Sequence, residues 1–499
     1  VAHRREHGKR RGLAVVLVLA LLGASLAVAY GVLKSEATTL ALQQNFGSRD
    51  AARQAALSGL AIGLRHMHTS SWGGVETSLS RNLGNGTSCT VKYTAGDPNL
   101  QPGHPDYNRY PFRVTLDVTG YAIQSYTPLR MAWHQLQAVV ELVPRALSTP
   151  PGDWSRMQNY VFFQTHAEPT TVEIPFRIAG AVRLQKDLKI ADAYPDKSTP
   201  RTKYLTDLNA MRLTGQGDFR PFNGPLELPT AAQSSATMTR LTELGVTVVN
   251  RSAAVVGSDW QKPALPPTYR LYPGGPPYQP TVVGTKLNNV TLQADPLTNP
   301  LGLFYCSSSM RLQGDVMLRG TLVCDSDITL QGAGLSLAAV DLPSLDGTAG
   351  VLRLPTLSVG QHLKVEPGCR GTLTGLAAIF NELRVTNGLD TAQLAMTGRL
   401  IVRQLKAEPR KPWEDQDWNR LHDEYLIEWF LKPLSTPRFP IWLRDKYGLD
   451  PQPRVFLQAD PQTVTYHWLS LQQPLYVAAP GDAGLRWSLL AFQDVSFSQ

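Results

Sequence analysis

Cysteine is scarce. The chain has four in 499 residues and no C-x-x-C, which argues against a zinc ribbon or a thioredoxin-like site. G-x-S-x-G, H-E-x-x-H, the P-loop and the dinucleotide fingerprint are also missing. Ten histidines are scattered. His66 and His68 are two apart, on different faces of a helix, and His104 and Asp106 read as polar residues of a Pro/Gly-rich loop with no spacing that closes a metal site. Charged residues make up only 18%. The net charge is +8, but half of it sits in the first eleven residues, with five cations and Glu6. A basic head of that kind is an orientation signal, and no nucleic-acid motif accompanies it. The expectation is a protein that is not an enzyme, holds no cofactor or metal, and binds no nucleic acid.

What is present is a long apolar run. Residues 13–33 contain no charge. Twenty-one residues at about 1.5 Å each span roughly 31 Å as a helix, enough for a bilayer core. With the cations before it, the run places the N-terminus in the cytoplasm and sends the rest of the chain outward. Three fates are open: cleavage as a secretory signal after Ala27 and Ala29, permanence as an anchor, or cleavage of a leader after Gly12. A proline-free, Ala- and Leu-rich segment follows, through Leu40, Ala51, Ala52, Ala55, Ala56, Leu60 and Leu64, and continues the helix.

Period-two alternation then marks strands. Cys89, Val91 and Tyr93 form one. Phe112, Val114, Leu116 and Val118 fall on one side of a second, and Leu136, Ala138, Val140 and Leu142 on one side of a third. A long helix followed by an antiparallel meander is a small α+β unit.

The string Arg11-Gly12-Leu13-Ala14-Val15-Val16-Leu17, with Ala51-Ala52-Arg53-Gln54-Ala55-Ala56-Leu57-Ser58-Gly59-Leu60 behind it, resembles the N-terminal region of PilX-type minor pilins and type II secretion pseudopilins. The resemblance covers roughly residues 9–143. It implies cleavage between Gly12 and Leu13 by a prepilin peptidase. It also implies an assembly helix presenting Leu13, Leu17, Leu21, Leu26 and Leu33, and partners that are the membrane, other pilin-like subunits and a pilus or secretion platform. Leu17 stands where major pilins carry Glu, so the family's salt-bridged docking is not available here.

The back of the chain has 40 Gly and 37 Pro to draw on and reads as short strands separated by turns. Over 280–411, runs such as Val290-Thr291-Leu292, Met310-Arg311-Leu312, Val316-Met317-Leu318 and Ile328-Thr329-Leu330 recur. These predict a degenerate β-helix with an aliphatic column. Residues 148–279 read as a mixed linker containing first β coils and short helices at 202–213 and 235–244. Trp418, Leu421, Tyr425, Leu426 and Trp429 lie at helical spacing, which predicts a helix that caps the solenoid.

The fold expected is therefore α+β: a long N-terminal transmembrane helix with a pilin-like antiparallel sheet, then a large mainly-β, β-helix-like region with a C-terminal helical cap. The divisions are a leader at 1–12, a helix at 13–68, a sheet domain at 69–147, the linker at 148–279, the β-helix at 280–411, and cap and strands at 412–499. Cys306 and Cys324, eighteen residues apart, are a possible disulfide between neighbouring coils. Asp315, Asp325 and Asp327 are the candidate glycan or metal site, against the alternative that they are turn residues. The function expected is a minor subunit of a type IV pilus or type II secretion pseudopilus displaying a β-rich surface. Two alternatives stand beside it: a membrane-anchored β-helix protein that binds or cleaves a cell-surface polysaccharide, and a self-assembling scaffold of the bactofilin kind.

Overall fold

The computed structural model describes the chain except residues 1–6, 125–129, 151–152, 173–175, 191–221, 244, 253–259, 347–349, 386–391, 408–415, 437–441, 443–445, 447–453, 468–469 and 496–499. The helix predicted at 202–213 lies outside the described residues. The chain divides into two compact units: Val1–Asn99, Arg113–Leu142 and Ala483–Gln499 form one, and Leu100–Phe112 with Val143–Asp482 form the other.

The first unit is built on α1, an unbroken helix His7–Met67. Its front half is apolar all round and long enough to cross a membrane, with none of that segment buried. Its back half has a narrow buried stripe: Ala52, Ala55, Ala56, Gly59, Leu60, Gly63 and Met67. Those positions recur at three and four residues, one face of a helix. They dock on an antiparallel sheet of β1 (Ser78–Gly84), β2 (Thr87–Ala95), β3 (Arg113–Gln124) and β4 (Arg130–Val143). The helix-facing residues are the alternating ones: Cys89, Val91 and Tyr93, and Val114, Leu116 and Val118, are all buried.

Two features of this sheet depart from expectation. β1 lies in 69–88, a polar, Gly-rich stretch ahead of the first strand expected at Cys89. A fifth strand, β5 (Arg486–Asp494), joins the sheet beside β4, so the C-terminal strands do not all belong with the β-helix. The Val495 amide donates to the Gln135 carbonyl. Trp487 donates its amide to His68 Nε2 at 3.1 Å and packs edge-on against Trp72. In sequence, the larger segment of the second unit, Val143–Asp482, is thus an insertion between β4 and β5.

The second unit is a parallel β-helix with three faces. One chain segment shows how a coil turns. The 16-residue strand Arg370–Val385 pairs with Leu335–Ala338 on the third face through 371–374, turns to pair with Leu357–Val359 on the first face of the next coil through 377–379, and then with His362–Val365 on the second face through 382–385. The corners fall at Gly375, with φ +121°, and at a register shift between Ile379 and Glu382. Inward residues stack on like residues. On the second face Leu287, Leu312, Leu330, Val365 and Val385 follow one another in register. All are buried in one aliphatic core, the dominant stabilising term of such a stack. A smaller aromatic core of Trp154, Trp260 and Phe380 covers the outside of the first face, with Trp260 and Phe380 ring centroids 4.6 Å apart.

The order of coils is not the order of sequence. Leu400 is in register with Phe162, Lys406 with Thr171, and Val455 with Phe176. The chain therefore joins the stack at its middle, climbs from Phe162 to the strand Val248–Asn250 at one end, and resumes at Thr281–Val282 at the other. From there it returns to the middle at Arg454–Gln458. The two ends of the insertion meet where Ala146–Leu147 pairs antiparallel with Tyr476–Val477. Residues 160–190, read as first coils, are middle coils.

The cap is also elsewhere. The helix Gln416–Leu431 lies in the excursion between two adjacent mid-stack strands, Gln393–Ala407 and Arg454–Gln458, and none of its described residues joins the aliphatic core. The helix Ser235–Glu243 does the capping: its Leu241 is buried in the aliphatic core, Met238 packs against it, and Thr237 Oγ1 donates to the Leu188 carbonyl.

Candidate functional site

The features that bear on function begin with α1. Gly12 and Leu13 lie within its first turns. Leu13, Leu17, Leu21, Leu26 and Leu33 are all exposed, from 56% at Leu17 to 70% at Leu13. Each such leucine gains about 2 kcal/mol on leaving water, so the bare half requires an apolar environment. The docked half owes its close approach to glycine on both partners. A Cβ on Gly59 would stand 2.8 Å from Cys89 Cβ, and one on Gly63 2.9 Å from Val91 Cγ1. Gly120 of β3 lies under the helix backbone at Ala52 and Ala56. At the sheet rim Arg113 is held between Asp97 at 2.8 Å and Glu141 at 3.0 Å, all three side chains largely buried.

The three candidate aspartates do not converge. Asp315 begins the third face and is exposed; its amide donates to Asn289 Oδ1. Asp325 and Asp327 lie at the corner between the first two faces, and each is committed to cations or donors. Asp325 accepts from Tyr305 Oη at 2.5 Å and pairs with Lys262 at 2.7 Å. That hydrogen bond, with burial, pushes the Tyr305 hydroxyl up to about 12. Asp327 accepts from Lys364 Nζ at 2.7 Å, from the His362 amide, and meets His362 Nδ1 at 2.9 Å. Burial opposes its ionisation, yet these donors outweigh burial and hold the carboxyl down at about 2.

Sequence reading missed the next member of this network. Glu382 is nearly buried. It pairs with Lys406 at 2.8 Å and with Arg384, and lies 3.7 Å from His362 Nε2. Its carboxyl is lowered for the same reason: the hydrogen bonds of Lys406 and Arg384 overcome desolvation. A carboxylate inside the apolar run 376–385, with Arg384 two residues on, was the available signal. Every acid in this group except Asp315 is thus neutralised by a neighbour, an arrangement that holds coils together rather than one that offers a free acid and base. Among the described residues, no group of three or more His, Cys, Asp or Glu is arranged to hold a metal.

Cys306 and Cys324 do stand on adjacent rungs in register. Both are free thiols pointing into the core, and both donate to the Ser308 carbonyl, at 3.2 and 3.1 Å. Burial pushes the Cys324 thiol up to about 11. The possible disulfide is not formed, and the two are small buried core residues; Cys89 and Cys369 are likewise buried and free.

No family model, curated protein or solved structure matches the chain.

Proposed function

We propose that this chain is a non-enzymatic, pilin-like envelope protein. In this reading the bare half of α1 sits in the inner membrane with the N-terminus cytoplasmic. On assembly it packs among the helices of neighbouring pilin-like subunits in a type IV pilus or type II secretion pseudopilus, and the β-helix is displayed outside. The observation that carries the reading is the division of one unbroken helix. Its front half is apolar all round with no protein packing, and its back half is docked through Ala and Gly on an antiparallel sheet. Exchanging lipid for the helices of other subunits keeps every exposed leucine in an apolar medium, so assembly and disassembly cost little. Leu17 adds no charge to be buried in that exchange, and specificity would rest on shape alone. The commitment of Asp325, Asp327 and Glu382 to ion pairs fits a display surface rather than a hydrolytic one.

Mass spectrometry of the N-terminus, after expression in cells with a prepilin peptidase, tests the reading. It requires a chain starting at Leu13, and cysteine crosslinks between copies along the bare helix. A start at Tyr30 means a plain secreted β protein, and an intact basic head means a permanent anchor. Either result would sink the proposal.

A further inference from the structure

The second face of the β-helix carries a row of cations that its core does not require. In register along it stand Lys286, Arg311, Lys364, Arg384, Lys406 and Lys189, with Thr329 and Thr171 on the two remaining rungs. Eight rungs spaced about 4.8 Å apart make a straight row roughly 34 Å long. Each cation alternates with a buried aliphatic residue of its strand, such as Leu312, Leu363, Leu383 or Leu188, so the row faces outward.

The middle is partly neutralised, by Asp327 on Lys364 and by Glu382 on Arg384 and Lys406. Lys286, Arg311 and Lys189 are exposed and carry no ion pair among the described residues. The rows beside this one are rich in amides. Asn288 is in register with Gln313, whose side chain donates to Gln331 at 2.8 Å, and Gln404 follows Glu382. Among the described residues these rows also carry two acids, Glu366 and, beside Lys189, Asp187. Cations on adjacent rungs repel one another, so fold stability alone disfavours stacking Lys286 on Arg311, where no acid among the described residues pairs with either.

We propose that this face binds a linear acidic polysaccharide, with its carboxylates on the row of cations and its hydroxyls on the flanking amides. Charge complementarity favours a polyanion. The rung spacing is close to the length of one sugar ring along an extended chain, so a repeating uronate meets one cation after another. The row has no aromatic side chain on which a base would stack, which separates it from single-stranded nucleic-acid platforms. The inference does not depend on the pilin reading, because it is tested on the isolated chain.

The experiment is titration of the full chain in neutral detergent with polygalacturonate, at low and high NaCl. Dextran, single-stranded DNA and phosphatidylglycerol vesicles are run alongside. The expected result is binding to polygalacturonate that weakens with salt, with none to dextran. The variant Lys286→Gln/Arg311→Gln/Lys189→Gln removes three exposed charges that carry no ion pair among the described residues, and its melting curve should match the parent's. It should bind about tenfold more weakly. The single variants Arg311→Gln and Lys189→Gln, toward opposite ends of the row, should each take part of that loss. Full affinity in the triple variant, equal binding of dextran, or preference for DNA or vesicles would each overturn the proposal.

Discussion

Replacing Gly120 by alanine tests whether α1 is seated on β3 as closely as the structure has it. A Cβ at Gly120 would press into the carbonyl oxygen of Ala52 and the amide nitrogen of Ala56, and would stand 2.9 Å from the Ala55 carbonyl carbon. Carbon pairs settle at about 3.5–4.0 Å. All three atoms are helix backbone, which has no rotamer to move, so the helix itself must retreat by roughly 1 Å. A gap of that size forfeits a quarter to a half of each dispersion contact along the stripe. Overpacking of this kind costs about 1–3 kcal/mol, and the rigid neighbours put Gly120→Ala toward the upper end, about 2–3 kcal/mol.

The readout is amide hydrogen exchange by mass spectrometry on the detergent-solubilised chain. A loss of about 2 kcal/mol in docking speeds local opening roughly thirtyfold, at the amides of residues 52–67. Amides of residues 310–338, inside the β-helix, should not change. Gly47→Ala is the control: a Cβ there meets nothing within 4 Å, and helix propensity favours it by up to about 1 kcal/mol. Unchanged exchange over 52–67 in Gly120→Ala would refute the close docking, and equal loosening of the β-helix would refute its independence of that contact.

Other expectations follow from the same geometry. Asp327 has a folded carboxyl at about 2 against about 3.9 unfolded. It therefore contributes about 2 kcal/mol that is fully present above pH 4 and lost as pH falls from 4 toward 2. Denaturant midpoints at pH 5 and pH 3 should draw closer in Asp327→Asn than in the parent. Arg113→Met leaves Asp97 and Glu141 buried without their cation. A destabilisation of about 3 kcal/mol in equilibrium unfolding is expected, and a loss under 1 kcal/mol would show that the triad is hydrated. All four cysteines are buried and free, with the Cys369 thiol pushed up to about 12 by desolvation. A thiol reagent at pH 8 should count almost none in the native protein and four after denaturation; fewer than four would reveal a disulfide. At a β-helix corner, a Cβ on Gly398 would collide with the Gly375 carbonyl oxygen of the coil beside it, and the backbone there has φ +144°. Gly398→Ala should lower the melting temperature of the β-helix, while Gly481→Ala, with open space around it, loses only the backbone term.

Much of this protein is determined by local sequence. An uncharged run at 13–33 makes a helix that must leave water, whatever follows it. Small residues at three- and four-residue spacing from Ala52 to Gly63 mark the face that docks. Alternation in Met310–Arg319 settles which residues face the core and which face solvent, because a strand's side chains alternate by geometry. The acids at 325 and 327 were visible as a candidate site, but their partners were not. Lys262 and Lys364 lie 63 residues upstream of Asp325 and 37 downstream of Asp327 in the chain, and no local pattern announces them.

Tertiary structure alone decided the neighbours. Successive rungs of the cation row are separated by 18 residues between Arg311 and Thr329 and by 35 between Thr329 and Lys364. The row then runs backward from Lys406 to Thr171. Neither the mid-stack junction nor the return of β5 to the first sheet has a period to read. Both rest on parallel and edge pairing between distant segments, chosen by which stacking buries the whole aliphatic column and leaves the fewest unpaired strand edges. Local chemistry wrote the inside and outside of every strand, and only the assembled stack could place a lysine at 286 in line with one at 189.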